Sequence, residues 1–134
     1  MFDALDISAS ALTAQRIRMD TVAGNVANLN TTRNAAGQAA PYQRRFVVFA
    51  PGQPQDPARP GVRVKEVALD ASPFRKVYEP GHKDAGPDGY VRYPNVDLAV
   101  EMVNAIEASR AYEANVTTME VTKAMMNASF RLLA

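Results

Sequence analysis

The sequence predicts an α+β fold: two long terminal heptad helices forming a coiled-coil-like pair, with a small antiparallel β insert between them. Three observations predict it. From Val96 to Leu133 there is neither Pro nor Gly, and apolar residues recur at heptad spacing. A second heptad run occupies residues 1–29, with no Pro and one Gly. The middle, 41–94, holds all nine Pro and five of the seven Gly, among segments that alternate apolar and polar residues.

The first element is a helix over 1–30. Leu5, Leu12, Met19 and Val26 stand seven apart, with Ser8, Gln15, Val22 and Leu29 between them, so the stripe is weakened by two polar members. Asp3 and Asp6 suit the positive end of a helix dipole. Asn25, Asn28 and Asn30 form an Asn-rich exit, and residues 31–40 read as a flexible loop.

The insert spans 41–94. Arg44 to Phe49 and Val62 to Val67 read as two strands, the second with one slip in its alternation that a β-bulge explains. Between them Pro51, Pro54, Pro57 and Pro60 recur every third residue, the period of a stiff polyproline II spacer at a hairpin tip. Phe74 to Tyr78 and Tyr90 to Tyr93 are two shorter strands, with a turn at Asp88-Gly89.

The last element is a helix over 95–134, with Asn95 and Asp97 as cap candidates and Arg131 in its last turn. Its heptad register is Met102, Ser109, Val116, Lys123 and Phe130, interleaved with Ala105, Tyr112, Met119, Met126 and Leu133. Val103, Ile106, Ala111, Ala114, Val121, Met125 and Ala128 widen the apolar stripe to about half the circumference. A helix roughly 57 Å long with that much apolar surface needs more than one partner. The amino-terminal heptads supply one, within the subunit or from another. The surplus implies self-association or partner binding, and a free chain loosely folded enough for export in an extended form.

Other function classes lose their support in turn. With 15 basic and 14 acidic residues, the chain has no nucleic-acid footprint. One His and no Cys leave no transition-metal ligand set, and no cofactor is expected. His82 reads as an exposed loop residue, and Asp84 and Asp88 as turn residues. Arg44-Arg45 reads as a solvated charge pair at a strand edge. Asn30-Thr31-Thr32, Asn115-Val116-Thr117 and Asn127-Ala128-Ser129 are chance matches to the glycosylation pattern. Met125-Met126 reads as adaptable packing. No nucleophile elbow, phosphate loop or dinucleotide fingerprint occurs, so no enzyme and no small-molecule substrate is expected. The amino terminus lacks the basic and apolar regions of a cleaved signal peptide, and no stretch is apolar enough to span a membrane.

The segment LDISASALTAQRIRMDTVAGNVANLNTT resembles the amino-terminal signature of bacterial flagellar rod and hook proteins. VYEPGHKDAGPDGYVRYPNVDLAVEMVNAIEASRAYEANVTTMEVTKAMM resembles the carboxy-terminal half of the short proximal members of the basal-body rod family. PYQRRFVVF and GVRVKEV fall where that family has its first hairpin, so the resemblance covers nearly the whole chain. Gly24 departs from it, standing where the motif usually has Asn.

The resemblance implies a structural subunit of the periplasmic rod. It implies packing against copies of itself and other flagellar rod proteins, and passage through the flagellar export apparatus without a cleaved signal. The interface residues expected on this reading are Leu5, Leu12, Met19, Val22, Val26 and Leu29, with Met102, Ile106, Tyr112, Val116, Met119, Met126, Phe130 and Leu133. The alternative is a helical adaptor that binds a single partner, with the Pro-rich loop as its recognition element.

Overall fold

A computed structural model describes residues 2–134; Met1, part of the expected first helix, lies outside the described residues. The order is α1 (Phe2–Ala27), β1 (Arg45–Pro51), β2 (Val62–Leu69), β3 (Arg75–Tyr78), β4 (Tyr90–Tyr93) and α2 (Leu98–Leu133). This is the expected α+β arrangement, with the helices at the two ends and the strands between them.

Each helix is bounded by local chemistry. In α1 the chain leaves the helix after Ala27, where both the amide and the side-chain Nδ2 of Asn28 donate to the Gly24 carbonyl at 3.1 and 2.8 Å. Thr31 Oγ1 then donates to Asn28 Oδ1 at 3.1 Å, which holds the turn. Of the two cap candidates of α2, Asp97 is the cap: its Oδ1 accepts from the Ala99 amide at 2.9 Å. Asn95 has a different task, described below.

The insert is two separate antiparallel ribbons rather than one sheet. In β1–β2, Val48 opposes Glu66 and Phe49 opposes Val64, so Lys65 is the extra residue of a bulge. This bulge is the cause of the slipped alternation. The ribbon packs on α1: Ser10 Oγ accepts from the Val62 amide at 3.1 Å. The Pro-rich segment is not an extended spacer. It curls back, with Gly52 donating to the Gly61 carbonyl at 3.0 Å and Gln53 to the Asp56 carbonyl at 3.1 Å. Gly52 permits this with φ 98°, where a Cβ would stand 2.5 Å from the Pro57 carbonyl oxygen. In the second ribbon, β3–β4, Val91 is buried, as are Pro94 and Val96 in the stretch that leads from it into α2.

The two helices pair antiparallel within the chain, with Asn25 beside Glu101 and Arg18 beside Glu107. The phase of the seam on α2 differs from the apolar register. Ala105, Tyr112, Met119 and Met126 face inward as expected. The alternating positions are Glu101, Ala108, Asn115, Thr122 and Ser129, buried or half-buried, while Met102, Lys123 and Phe130 are exposed. On α1 the expected register largely holds, with Ser8 and Val22 buried and Leu5, Leu12 and Met19 half-buried; it departs at the carboxy end, where Asn25 is buried and Val26 exposed.

The core is thin. Among the described residues the buried apolar side chains are Ala14, Val22, Val91, Val96, Ala108 and Met126. The chain exposes 8817 Å². A compact monomer of 14.5 kDa would expose about 6,900 Å².

Candidate functional site

Two features can organise an assembly: a buried polar joint that fixes the helices, and the apolar surface that the joint leaves outside.

The joint forms where α1 ends and α2 begins. Asn25 is fully buried. Its Nδ2 donates to the Arg45 carbonyl at 2.7 Å and to Glu101 Oε2 at 3.1 Å, and its Oδ1 accepts from the Arg45 amide and the Tyr42 hydroxyl. Glu101, whose side chain has no exposure, accepts through Oε1 from Arg44 Nε. Arg44 reaches on to Asp70 Oδ2 at 3.1 Å. Asn95 completes the ring: its Oδ1 accepts from the Arg44 amide at 2.8 Å and its Nδ2 donates to the Asp70 and Ser72 carbonyls. Five segments of the chain are tied at one point, and the polar groups satisfy one another.

The electrostatics are consistent with charges that stay paired. Partial burial opposes the charge on Arg44, but Glu101 and Asp70 more than offset it and its pKa is raised. The Ser72 hydroxyl and amide hold the Asp70 carboxyl below the usual range, with Arg44 contributing. Arg44 is therefore not the solvated edge charge that the Arg44-Arg45 pair suggests. Arg44 turns inward, while Arg45 stays exposed with its guanidinium 5.7 Å from the Tyr42 ring centre.

A second tie joins the 31–40 loop to the second ribbon. Asp84 accepts from Thr32 Oγ1 and Arg33 Nε, both at 2.8 Å. Burial works against the charged carboxylate, yet these bonds and His82 keep its pKa lowered. His82 is correspondingly half-buried rather than exposed: its Nδ1 accepts from the Asp84 amide at 3.0 Å, and its ring lies edge-on to Tyr93.

The expected interface residues fall into three groups. Val22 and Met126 are buried in the chain's own packing. Leu5, Leu12, Met19, Leu29, Tyr112, Val116 and Met119 are half-buried along the seam or its flanks. Val26, Met102, Ile106, Phe130 and Leu133 are exposed, and so are Leu98, Val100, Val103, Val121, Met125 and Leu132. Extrapolating the Asn25–Glu101 and Arg18–Glu107 pairings places Phe2 opposite the region of residue 124. Phe130, Leu132 and Leu133 thus project roughly 10 Å past α1.

The residues of the joint escape sequence reading because the partners tied across it lie 17 to 76 positions apart. Nothing local separates Glu101 from Glu107, Glu113 and Glu120 of the same helix. The Pro-rich loop, offered above as a recognition element, is docked on α1 through Arg59 and Asp6 at 2.9 Å. Among the described residues no cluster of His, Cys or carboxylates has the makings of a metal site, and no helix is long and apolar enough to cross a membrane.

Comparison with known proteins places this architecture. Residues 5–33 match the family described as "Flagella basal body rod protein", and residues 88–132 match "Flagellar basal body rod FlgEFG protein C-terminal". The chain is 43% identical to the flagellar basal-body rod protein FlgC of Bacillus subtilis, across 93% of both chains. It is 38% identical to FlgC of Borreliella burgdorferi, across 99% of this chain and 97% of the relative. With FlgC of Salmonella typhimurium the identity is 42%, across 94% and 92%. The chain belongs to the FlgC family of flagellar basal-body rod proteins.

Proposed function

We propose that the chain is a structural subunit of the proximal flagellar rod, built into a torque-transmitting shaft through its terminal helices. The observation that carries the mechanism is the surface excess. About 1,900 Å² is exposed beyond what a compact chain of this mass would show. A standard interface buries roughly 800 Å² per partner, so the excess matches about two such faces. Two distinct faces per subunit are the minimum for a helical polymer built by heterologous contacts.

On this reading residues 1–30 and 95–134 form the inner helical tube with copies of the chain and other rod proteins. Residues 31–40 link them to the 41–94 insert, which lies outside the tube. Its work is mechanical, with no catalysis and no cofactor. The thin core suits export in an extended form through the flagellar export apparatus to a periplasmic position in the basal body. The adaptor alternative is not favoured, because the relatives that match nearly the whole chain are rod proteins.

The test uses the exposed members of the apolar stripe. Val22 and Met126 cannot discriminate, since changing either would damage the fold itself. Ile106→Asp with Val121→Asp is expected to leave the circular dichroism and melting of the purified chain unchanged while abolishing rods and swimming. Normal flagella in that variant would contradict the reading.

A further inference from the structure

The β3–β4 ribbon carries a feature that its own stability does not explain. Lys76 and Arg92 are directly opposite one another across the ribbon, and both are exposed. Like charges at facing positions destabilise a strand pair. Among the described residues neither has a carboxylate within ion-pair distance. The neighbouring acids are committed elsewhere: Asp84 to Thr32 and Arg33, and Asp88 Oδ1 to the Tyr90 amide.

Alternation along the strands puts Tyr78 and Tyr90 on the same face, 62% and 43% exposed, with ring centres 5.2 Å apart. Phe74 lies beneath the Arg92 guanidinium at 5.7 Å. Exposed aromatic residues around arginine are the composition of interface hot spots.

The complementary surface is on α2. Glu113 and Glu120 are exposed, seven apart on one face, and make no ion pair among the described residues. Thr117 and Ala124, also exposed, share that face and keep it low enough for aromatic rings to approach. The ribbon joins α2 at its amino end, and Glu113 and Glu120 lie roughly 20–35 Å further along the axis. The two patches are too far apart to meet within one chain.

We propose that the Lys76–Arg92 face of one subunit docks on the Glu113–Glu120 face of α2 of a second copy, in a staggered heterologous contact. The proposal rests on the rod-subunit reading and specifies one of its interfaces. Such a contact repeats from copy to copy, because each subunit presents one patch of each kind.

The experiment is charge exchange in the full chain, scored by swimming and by the yield of isolated rods. Lys76→Glu/Arg92→Glu and Glu113→Arg/Glu120→Arg are each expected to lower rod yield about tenfold or more, as like charges meet across the contact. The fourfold variant is expected to recover. Lys76→Glu alone is the control for folding: it replaces a repulsive cross-strand pair by an attractive one, so the purified chain melts no lower while assembly still falls. In isolated wild-type rods, a zero-length carbodiimide cross-link is expected between Lys76 and Glu113 or Glu120. Full assembly of either double variant, no recovery in the fourfold variant, or no such cross-link would overturn this contact and leave the rod reading standing. Failure of the wild-type chain to enter rods at all would instead overturn the rod reading.

Discussion

Replacing Glu101 by Leu tests the joint directly. The side chain has no exposure and accepts from both Arg44 Nε and Asn25 Nδ2. Removing one member of a buried ion pair costs roughly 3–5 kcal/mol, because the remaining charge is left without its partner. Arg44 retains Asp70 and is itself 18% exposed in its side chain, so the low end, about 3 kcal/mol, is expected. That is a large fraction of the stability of any small domain, and this one has few buried apolar residues. The melting temperature should fall by about 10 °C. The double variant Glu101→Leu/Arg44→Met removes both charges, and Asp70 keeps its bonds from Ser72. It should therefore recover most of the loss. The assay is urea unfolding of the purified chain, followed by far-ultraviolet circular dichroism, for wild type, both single variants and the double. If the double variant is destabilised by the sum of the single effects, the pair is not coupled and the joint is only a collection of separate bonds.

Two further outcomes follow from the geometry. Gly24→Ala is expected to stabilise the chain by about 1 kcal/mol, since its Cβ would meet only Tyr42 Oη at an ordinary 3.8 Å; an unchanged or lower melting temperature would show that the Tyr42–Asn25 bond cannot tolerate the added methyl. Stability should also fall at both ends of the pH range. Asp70 and Asp84 have lowered folded pKa values, so their contribution is complete above their unfolded value of about 3.9 and is lost as pH drops through the folded values. Tyr93, raised chiefly by its hydrogen bond to Glu79, contributes below about pH 10 and loses that contribution as pH climbs through its folded value. Melting temperature against pH measures both limbs, and Asp84→Asn should flatten the acid one.

Much of the fold was legible because local chemistry decides it. Alternation located all four strands, and the displaced Val67 marked the bulge at Lys65. Asp97 announced the start of α2. The failures share one physical cause, which is dependence on distant partners. Arg44 reads as a surface charge until Glu101, 57 positions away, is placed beside it. The proline period suggests an extended rod until the Gly52–Gly61 closure and the Arg59–Asp6 contact draw the loop back. His82 is a loop residue as read, but it reads as exposed because the Tyr93 ring that lies against it comes from the following strand.

The one-residue error in the helix seam has the most consequence for function. Hydrophobicity marks Met102 and Phe130 as seam positions, yet Glu101, Ala108 and Asn115 line the seam and the larger apolar residues face outward. The shift turns the buried face of α2 by roughly 50° about its axis. Apolar burial alone would favour the opposite phase, since exposing Met102 forgoes transfer free energy on the order of 1.5–3 kcal/mol. Something must hold the less apolar phase, and the joint is placed to do so. Rotating α2 towards the apolar register would pull Glu101 away from Asn25 and Arg44 and break both of its bonds in the joint, leaving Arg44 with Asp70 alone. A buried polar cluster that fixes register at some expense of stability is well attested in helix pairs. Here it has a second effect, because it keeps the larger apolar residues of α2 outside, the face proposed for assembly. Glu101→Leu/Arg44→Met should therefore restore stability without restoring assembly, with Met102 less exposed to oxidation than in the wild type. Wild-type oxidation rates and normal rods in that double variant would show that the apolar face stays outside without the joint.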